Sequence, residues 1–166
     1  MIKRKNMTHN ATKKAGFGRR EVLKAAGVGV MAIVGSGLVP KTAKASPASV
    51  AKFMATSSGT STPKSGKVKI KLPDIAENGN TVPLTVSVDS PMTPDNYVKS
   101  IYIGAEGNPN PQIVSFNLTP SSGKAMVSTR VRLAKTQKVV VTAVMSDGSV
   151  YQSKKKVKVT IGGCGG

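Results

Sequence analysis

The single cysteine of the chain stands third from its end, in the stretch IGGCGG (161–166), with Gly162, Gly163, Gly165 and Gly166 around it. Cys164 has no side chains nearby to pack against and no second cysteine to pair with. It is either an incidental residue of a frayed terminus or chemistry that points outward, as a thiol presented to another protein or one half of an intermolecular disulfide. Glycine keeps such a segment thin and mobile, able to thread a cleft that any side chain would block. With Ile161 as the last fixed residue, three extended residues carry the thiol roughly 10 Å from the body.

Little else in the sequence can do chemistry. The one histidine, His9, lies near the N-terminus, and residues 46–166 hold none. That part of the chain cannot assemble a Ser-His-Asp or Cys-His site, and it lacks the soft or borderline ligands that zinc and copper require. It has no c-type haem attachment sequence either, so no cofactor of its own is expected. Its six acids, Asp74, Glu77, Asp89, Asp95, Glu106 and Asp147, fall mostly in predicted turns, where carboxylates bond to their own backbone. Catalysis confined to this chain is not expected.

Four lysines, Lys154, Lys155, Lys156 and Lys158, precede the tail. They read either as a solvated or aggregation-resistant strand face or as a positive field that draws anions toward Cys164 and favours its thiolate. Arg130 and Arg132 could extend such a patch.

The N-terminus looks like an export signal. Basic residues run to GRREVLK (18–24), an apolar stretch follows from Ala25 to Val39, and Ala43-Lys44-Ala45 supplies a small-residue cleavage element. The Arg19-Arg20 pair points to the twin-arginine route, with Gly18 and Val22 departing from its usual pattern and Leu23 and Lys24 fitting it. A spanning helix is the alternative, but 15 residues reach only about 22 Å against about 30 Å of hydrocarbon. Residues 1–45 are thus expected to be a cleaved signal, with a mature chain outside the cytoplasm and no stable membrane anchor. Of the 25 basic residues, ten lie in this segment, leaving 15 against six acids, a net +9. In an oxidising compartment cysteines usually come in pairs, which makes a lone one available for reaction.

The elements that must position the tail follow from periodicity. Val50, Phe53 and Met54 predict one or two turns of helix within 46–66, and TSSGTSTPKSG (56–66) reads as a linker. From Lys67 the pattern alternates with period two: 67–72, 81–88, 97–103, 113–118, 125–133, 138–145 and 156–161, separated by turn signals such as ENGN (77–80) and EGNPNP (106–111). About seven short strands over 67–161 predict an all-β, immunoglobulin-like β-sandwich, with 162–166 as a flexible arm. Nucleic-acid binding is disfavoured despite the charge, because the aromatics Phe53, Tyr97, Tyr102, Phe116 and Tyr151 are scattered.

The ending VTIGGCGG, together with IAENGNTVPLTVSVDSPM (75–92), EGNPNP and STRVRLAKTQKV, resembles the SoxY family, the sulfur-carrier subunits of periplasmic thiosulfate-oxidising systems. The resemblance implies a mechanism in which Cys164 bears covalent intermediates while the glycine arm swings between enzymes. A c-type haem enzyme would join thiosulfate oxidatively to Cys164, and a manganese-dependent thiosulfohydrolase would release sulfate. The remaining sulfur would be oxidised by a molybdenum–haem sulfur dehydrogenase or passed on. It also implies a heterodimer with a SoxZ-like subunit, docked on an uncovered apolar face of the sandwich. The rival reading is a secreted structural or adhesive β-domain that uses Cys164 for an intermolecular disulfide.

Overall fold

A computed structural model describes residues 45–60 and 62–162; the expected signal lies outside them up to residue 44. One helix, α1 (Pro47–Ser58), precedes eight strands: β1 (Val68–Lys71), β2 (Ile75–Asn78), β3 (Val82–Val88), β4 (Val98–Ala105), β5 (Gln112–Asn117), β6 (Met126–Val131), β7 (Gln137–Met145) and β8 (Val150–Ile161). They form a three-stranded sheet, β1-β3-β6, and a five-stranded sheet, β2-β8-β7-β4-β5. Every pairing between strands is antiparallel except β2 with β8, which is parallel. This is the expected immunoglobulin-like sandwich. Its core comes from the alternating faces: Val82, Leu84 and Val86 of one sheet meet Ile101, Ile103, Val139, Val141 and Val157 of the other, all buried.

The strand count is eight rather than about seven, and the extra strand is β2. Four residues with only Ala76 buried carry no readable alternation, and Glu77-Asn78 looked like the start of a turn. Pairing with β8 makes the strand, through Ala76 opposite Val159 and Asn78 opposite Ile161. β8 is also longer than its valines indicated, 12 residues in all. Its polar first half is held sideways instead: Gln152 donates to Thr142 (2.9 Å), and Lys67 lies 5.1 Å over the Tyr151 ring.

The helix exceeds the one or two turns expected. Ser46 caps it in a reciprocal box with Ser49, Pro47 opens it, and Gly59 ends it in the left-handed region at φ 77°. Val50 and Met54 bury themselves against Val140 on the outer face of the large sheet, and Phe53 meets Tyr102 edge to face at 6.4 Å. Part of the expected linker is structured too. Lys64 bonds to one edge of β8 on either side of Tyr151, its N–H to the Val150 carbonyl and its carbonyl to the Gln152 N–H, each at 2.8 Å.

Close approach of α1 depends on Gly104. A Cβ there would stand 2.7 Å from the Pro111 carbonyl oxygen and 2.8 Å from the Met54 methyl. Backbone on one side and a packed methionine on the other leave little room to yield. Gly104→Ala is therefore expected to lower stability by about 1–3 kcal/mol, read as a fall in the urea midpoint with unchanged m-value. An unaffected midpoint would show that α1 is loosely seated.

Candidate functional site

Cys164 and its neighbours Gly163, Gly165 and Gly166 lie outside the described residues; Gly162 is the last within them. What the structure defines is the root from which the tail departs. Along β8 the ladder to β2 continues to its end: Ile161 pairs with Asn78, and the Ile161 carbonyl accepts from the Gly79 N–H at 2.8 Å. The Gly79 carbonyl in turn accepts from the Leu133 N–H at 2.7 Å. On the other side of β8, the Thr136 hydroxyl accepts from the Val159 N–H at 3.0 Å. Both flanks of β8 are thus hydrogen-bonded almost to the point where the glycines begin.

Gly162 has a steric task distinct from flexibility. A Cβ at this position would collide with the Ala134 carbonyl oxygen. That carbonyl cannot easily withdraw, because its loop is tied on several sides. Asn108 is the knot: its Oδ1 accepts from the Ala134 N–H (3.0 Å) and from Gln137 Nε2 (2.8 Å), while its Nδ2 donates to the Arg132 carbonyl (2.8 Å). Gln137 is buried, and its Oε1 accepts from the Gly107 N–H. So Gly162 is the packed base of the expected arm. Two further residues reach about 7 Å to Cys164.

The four lysines separate onto two faces. Lys154, Lys156 and Lys158 are exposed on the outer face of the large sheet. Lys155 points the other way, where Nζ donates to the Leu72 carbonyl at 2.8 Å and pairs with Asp74 Oδ1 at 3.1 Å. With Asp74 87% exposed, that ion pair is worth little by itself; the backbone contact is what ties β8 to the β1–β2 connection. Sequence reading missed Lys138, which lies directly opposite Lys156 in the β7–β8 ladder. Arg130 bonds to Thr81 at 3.3 Å on the small sheet, away from this stripe.

No group of three or more His, Cys, Asp or Glu residues placed to hold a metal occurs among the described residues. The carboxyl of Asp147 is held below its ordinary range by the Ser149 hydroxyl and amide. It sits in the β7–β8 turn, a full 12-residue strand from the root. A cleft of about 370 Å³ opens between α1 and the sheet, lined in part by Val50, Met54, Glu106, Val140 and Lys154. It too is remote, eight residues or about 26 Å up β8 from Gly162. The root is built to hold and aim a chain.

The anticipated uncovered apolar face is also absent among the described residues. α1 covers the large sheet at β4 and β7, exposed lysines follow along β8, and the small sheet turns Thr85, Ser87, Ser128, Lys69, Lys71 and Arg130 outward. The large apolar side chains left exposed are Ile75, Met126 and Ile161. Any partner subunit must bind a mainly polar surface with isolated apolar points.

The root can be tested directly. Asn108→Ala leaves the Ala134 N–H and the Gln137 amide without their acceptor and is expected to cost about 1–3 kcal/mol in urea denaturation. Gly162→Ala should act locally, speeding amide exchange at Gly79 about tenfold, equivalent to about 1.4 kcal/mol, while core amides keep their protection. Equal protection at Gly79 in both proteins would mean that Gly162 is not sterically constrained.

Comparison with known proteins agrees with this geometry. The family model described as sulfur oxidation protein SoxY matches residues 53–164, from α1 through to the cysteine. The solved sulfur carrier protein SoxY from Chlorobium limicola f thiosulfatophilum is 34% identical, covering 70% of this chain and 100% of that one, with a TM-score of 0.56. A superoxide reductase (neelaredoxin) from Ignicoccus hospitalis matches at 20% identity and TM-score 0.51, covering 57% of this chain and 80% of that one; this shows a shared fold and nothing of its chemistry. None of the curated proteins matches the chain in sequence. A match over two thirds of the sequence, ending on the cysteine itself and joined to the same sandwich, places this chain in the SoxY family.

Proposed function

We propose that this protein is a non-catalytic carrier that holds thiosulfate-derived sulfur covalently on Cys164 and presents it to separate enzymes in the periplasm. The observation that carries the reading is the root of the tail. A chain braced on both sides of β8 and packed at Gly162 changes abruptly to glycine two residues before its only thiol. Rigid attachment and a free tip are what delivery into another protein's cleft requires, because the body limits where the thiol can go and the glycines let it enter.

The chemistry assigned to Cys164 balances with partners supplying the redox centres. In loading, the Cys164 thiol and the sulfane sulfur of thiosulfate form an S–S bond. One proton and two electrons leave, and the c-type haems of the conjugating enzyme accept the electrons. The product is a cysteine S-thiosulfonate. In the next step water attacks the sulfone sulfur at the manganese-dependent hydrolase, releasing sulfate and a proton and leaving a persulfide on Cys164. That sulfur is then oxidised by a molybdenum–haem dehydrogenase or transferred onward. The chain itself supplies an accessible nucleophile, a reach and a direction.

Export by the twin-arginine route suits a protein that leaves the cytoplasm folded, together with a SoxZ-like subunit that carries no signal of its own. Replacing the nucleophile gives the test. Cys164→Ser is expected to abolish thiosulfate-dependent sulfate release by periplasmic extract while leaving folding and subunit association intact. Sulfate release at the wild-type rate from the serine variant would remove the carrier role. Loss of a disulfide-linked dimer as the sole effect would favour a structural clasp instead.

A further inference from the structure

The outer face of β7 and β8 carries a feature that neither folding nor the thiol explains. Lys154, Lys156 and Lys158 alternate along β8, and Lys138 on β7 is the direct cross-strand partner of Lys156. Like charges placed opposite one another destabilise a sheet. Among the described residues the only ion pair is Lys155–Asp74, on the opposite face. Protection of a sheet edge accounts for part of the stripe: β2 pairs with β8 only from Lys158 onward, so Lys154 and Lys156 stand on a stretch with no strand opposite β7. Lys138 has no such reason, because β7 lies between β8 and β4. At the arm end the stripe meets Ile75, the Cα partner of Lys158 and 57% exposed.

Magnitudes decide between the roles open to these charges. Lys156 is six strand residues from Gly162, about 20 Å, whereas the screening length near physiological salt is about 8 Å. The stripe therefore does little to the ionisation of a thiol beyond the root. Nor is it a seat for a small oxyanion, since the ammonium groups are exposed on an open strand face and extend over about 13 Å from Lys154 to Lys158. An extended cationic face with one apolar point beside it matches a second macromolecular surface.

We propose that Lys138, Lys154, Lys156, Lys158 and Ile75 form a docking face for an acidic protein surface surrounding the entrance of the cleft that the arm enters. The proposal rests on the carrier reading and names the kind of partner. Charged, exposed contacts speed encounter without prolonging residence, which fits a carrier that must visit and leave several enzymes.

The test is the rate at which the purified haem-dependent thiosulfate-conjugating enzyme loads Cys164, followed by intact mass, using the mature protein with any subunit that co-purifies. For the wild type, kcat/KM should fall steeply as ionic strength rises from roughly 20 to roughly 300 mM, over which the Debye length shrinks from about 20 Å to about 6 Å. In the Lys154→Gln/Lys156→Gln/Lys158→Gln variant it should be roughly tenfold lower at low salt, with the loss in KM and a shallower salt dependence. Lys156→Gln alone should weaken loading yet raise the urea midpoint, because it relieves the repulsion with Lys138. A loading rate of the triple variant equal to wild type at low salt would overturn the docking face and leave the carrier reading standing. No adduct on wild-type Cys164 would remove both. A charge effect seen equally with dianionic 5,5′-dithiobis(2-nitrobenzoate), and absent with neutral dithiodipyridine, would mean that the lysines attract small anions and would also overturn it.

Discussion

The contact between Gly162 and the Ala134 carbonyl is the constraint on which the working end of this protein depends. It excludes every side chain from position 162 and so fixes where the arm leaves the sandwich. The carbonyl holds its place because Asn108 and buried Gln137 tie its loop down, and because Leu133 is bonded to the turn after β2. Three connections distant in sequence (78–81, 106–111 and 132–136) thereby meet at the end of one strand. Each is short and polar, and each gains its structure from the others.

That convergence explains an otherwise odd feature of the sandwich. β2 is four residues long and leaves Ile75 exposed, so burial alone gives it little reason to exist. As the parallel neighbour of the last residues of β8, it closes the flank that would otherwise fray. The same logic applies to Thr136, whose hydroxyl stands in for a ladder partner opposite Val159. Hydrogen bonding is thus concentrated at the residues that precede the glycine-rich tail. A carrier tip can sample widely only if its base does not.

Much of this was legible in the amino-acid order and some of it was not. The sandwich could be read because alternating valines such as 82, 86 and 88 each have one buried face. The lone cysteine among glycines stood out because it has no second cysteine in the chain to pair with. β2, the full length of α1 and the first half of β8 were hidden, since their stability comes from partners far along the chain and not from local pattern. Gly162 read as flexibility and turned out to be packed at its base, a distinction that only the position of Ala134 could make. The lysines read as one cluster because adjacent residues on a strand are close in sequence, but they face opposite ways, and Lys138 joins the outer set through the ladder. Residues 1–44, where a signal is expected, and Cys164 itself lie outside the described residues.

The carrier account stands or falls on what Cys164 bears in the cell. The most direct measurement is the intact mass of the mature protein, purified without reductant from periplasm of thiosulfate-grown cells, with fragmentation to locate any addition. The account requires thiosulfonate or added sulfur on Cys164 that appears with thiosulfate and is absent from Cys164→Ser. An unmodified thiol, or one found solely in a disulfide-linked dimer whatever the sulfur supply, would contradict it.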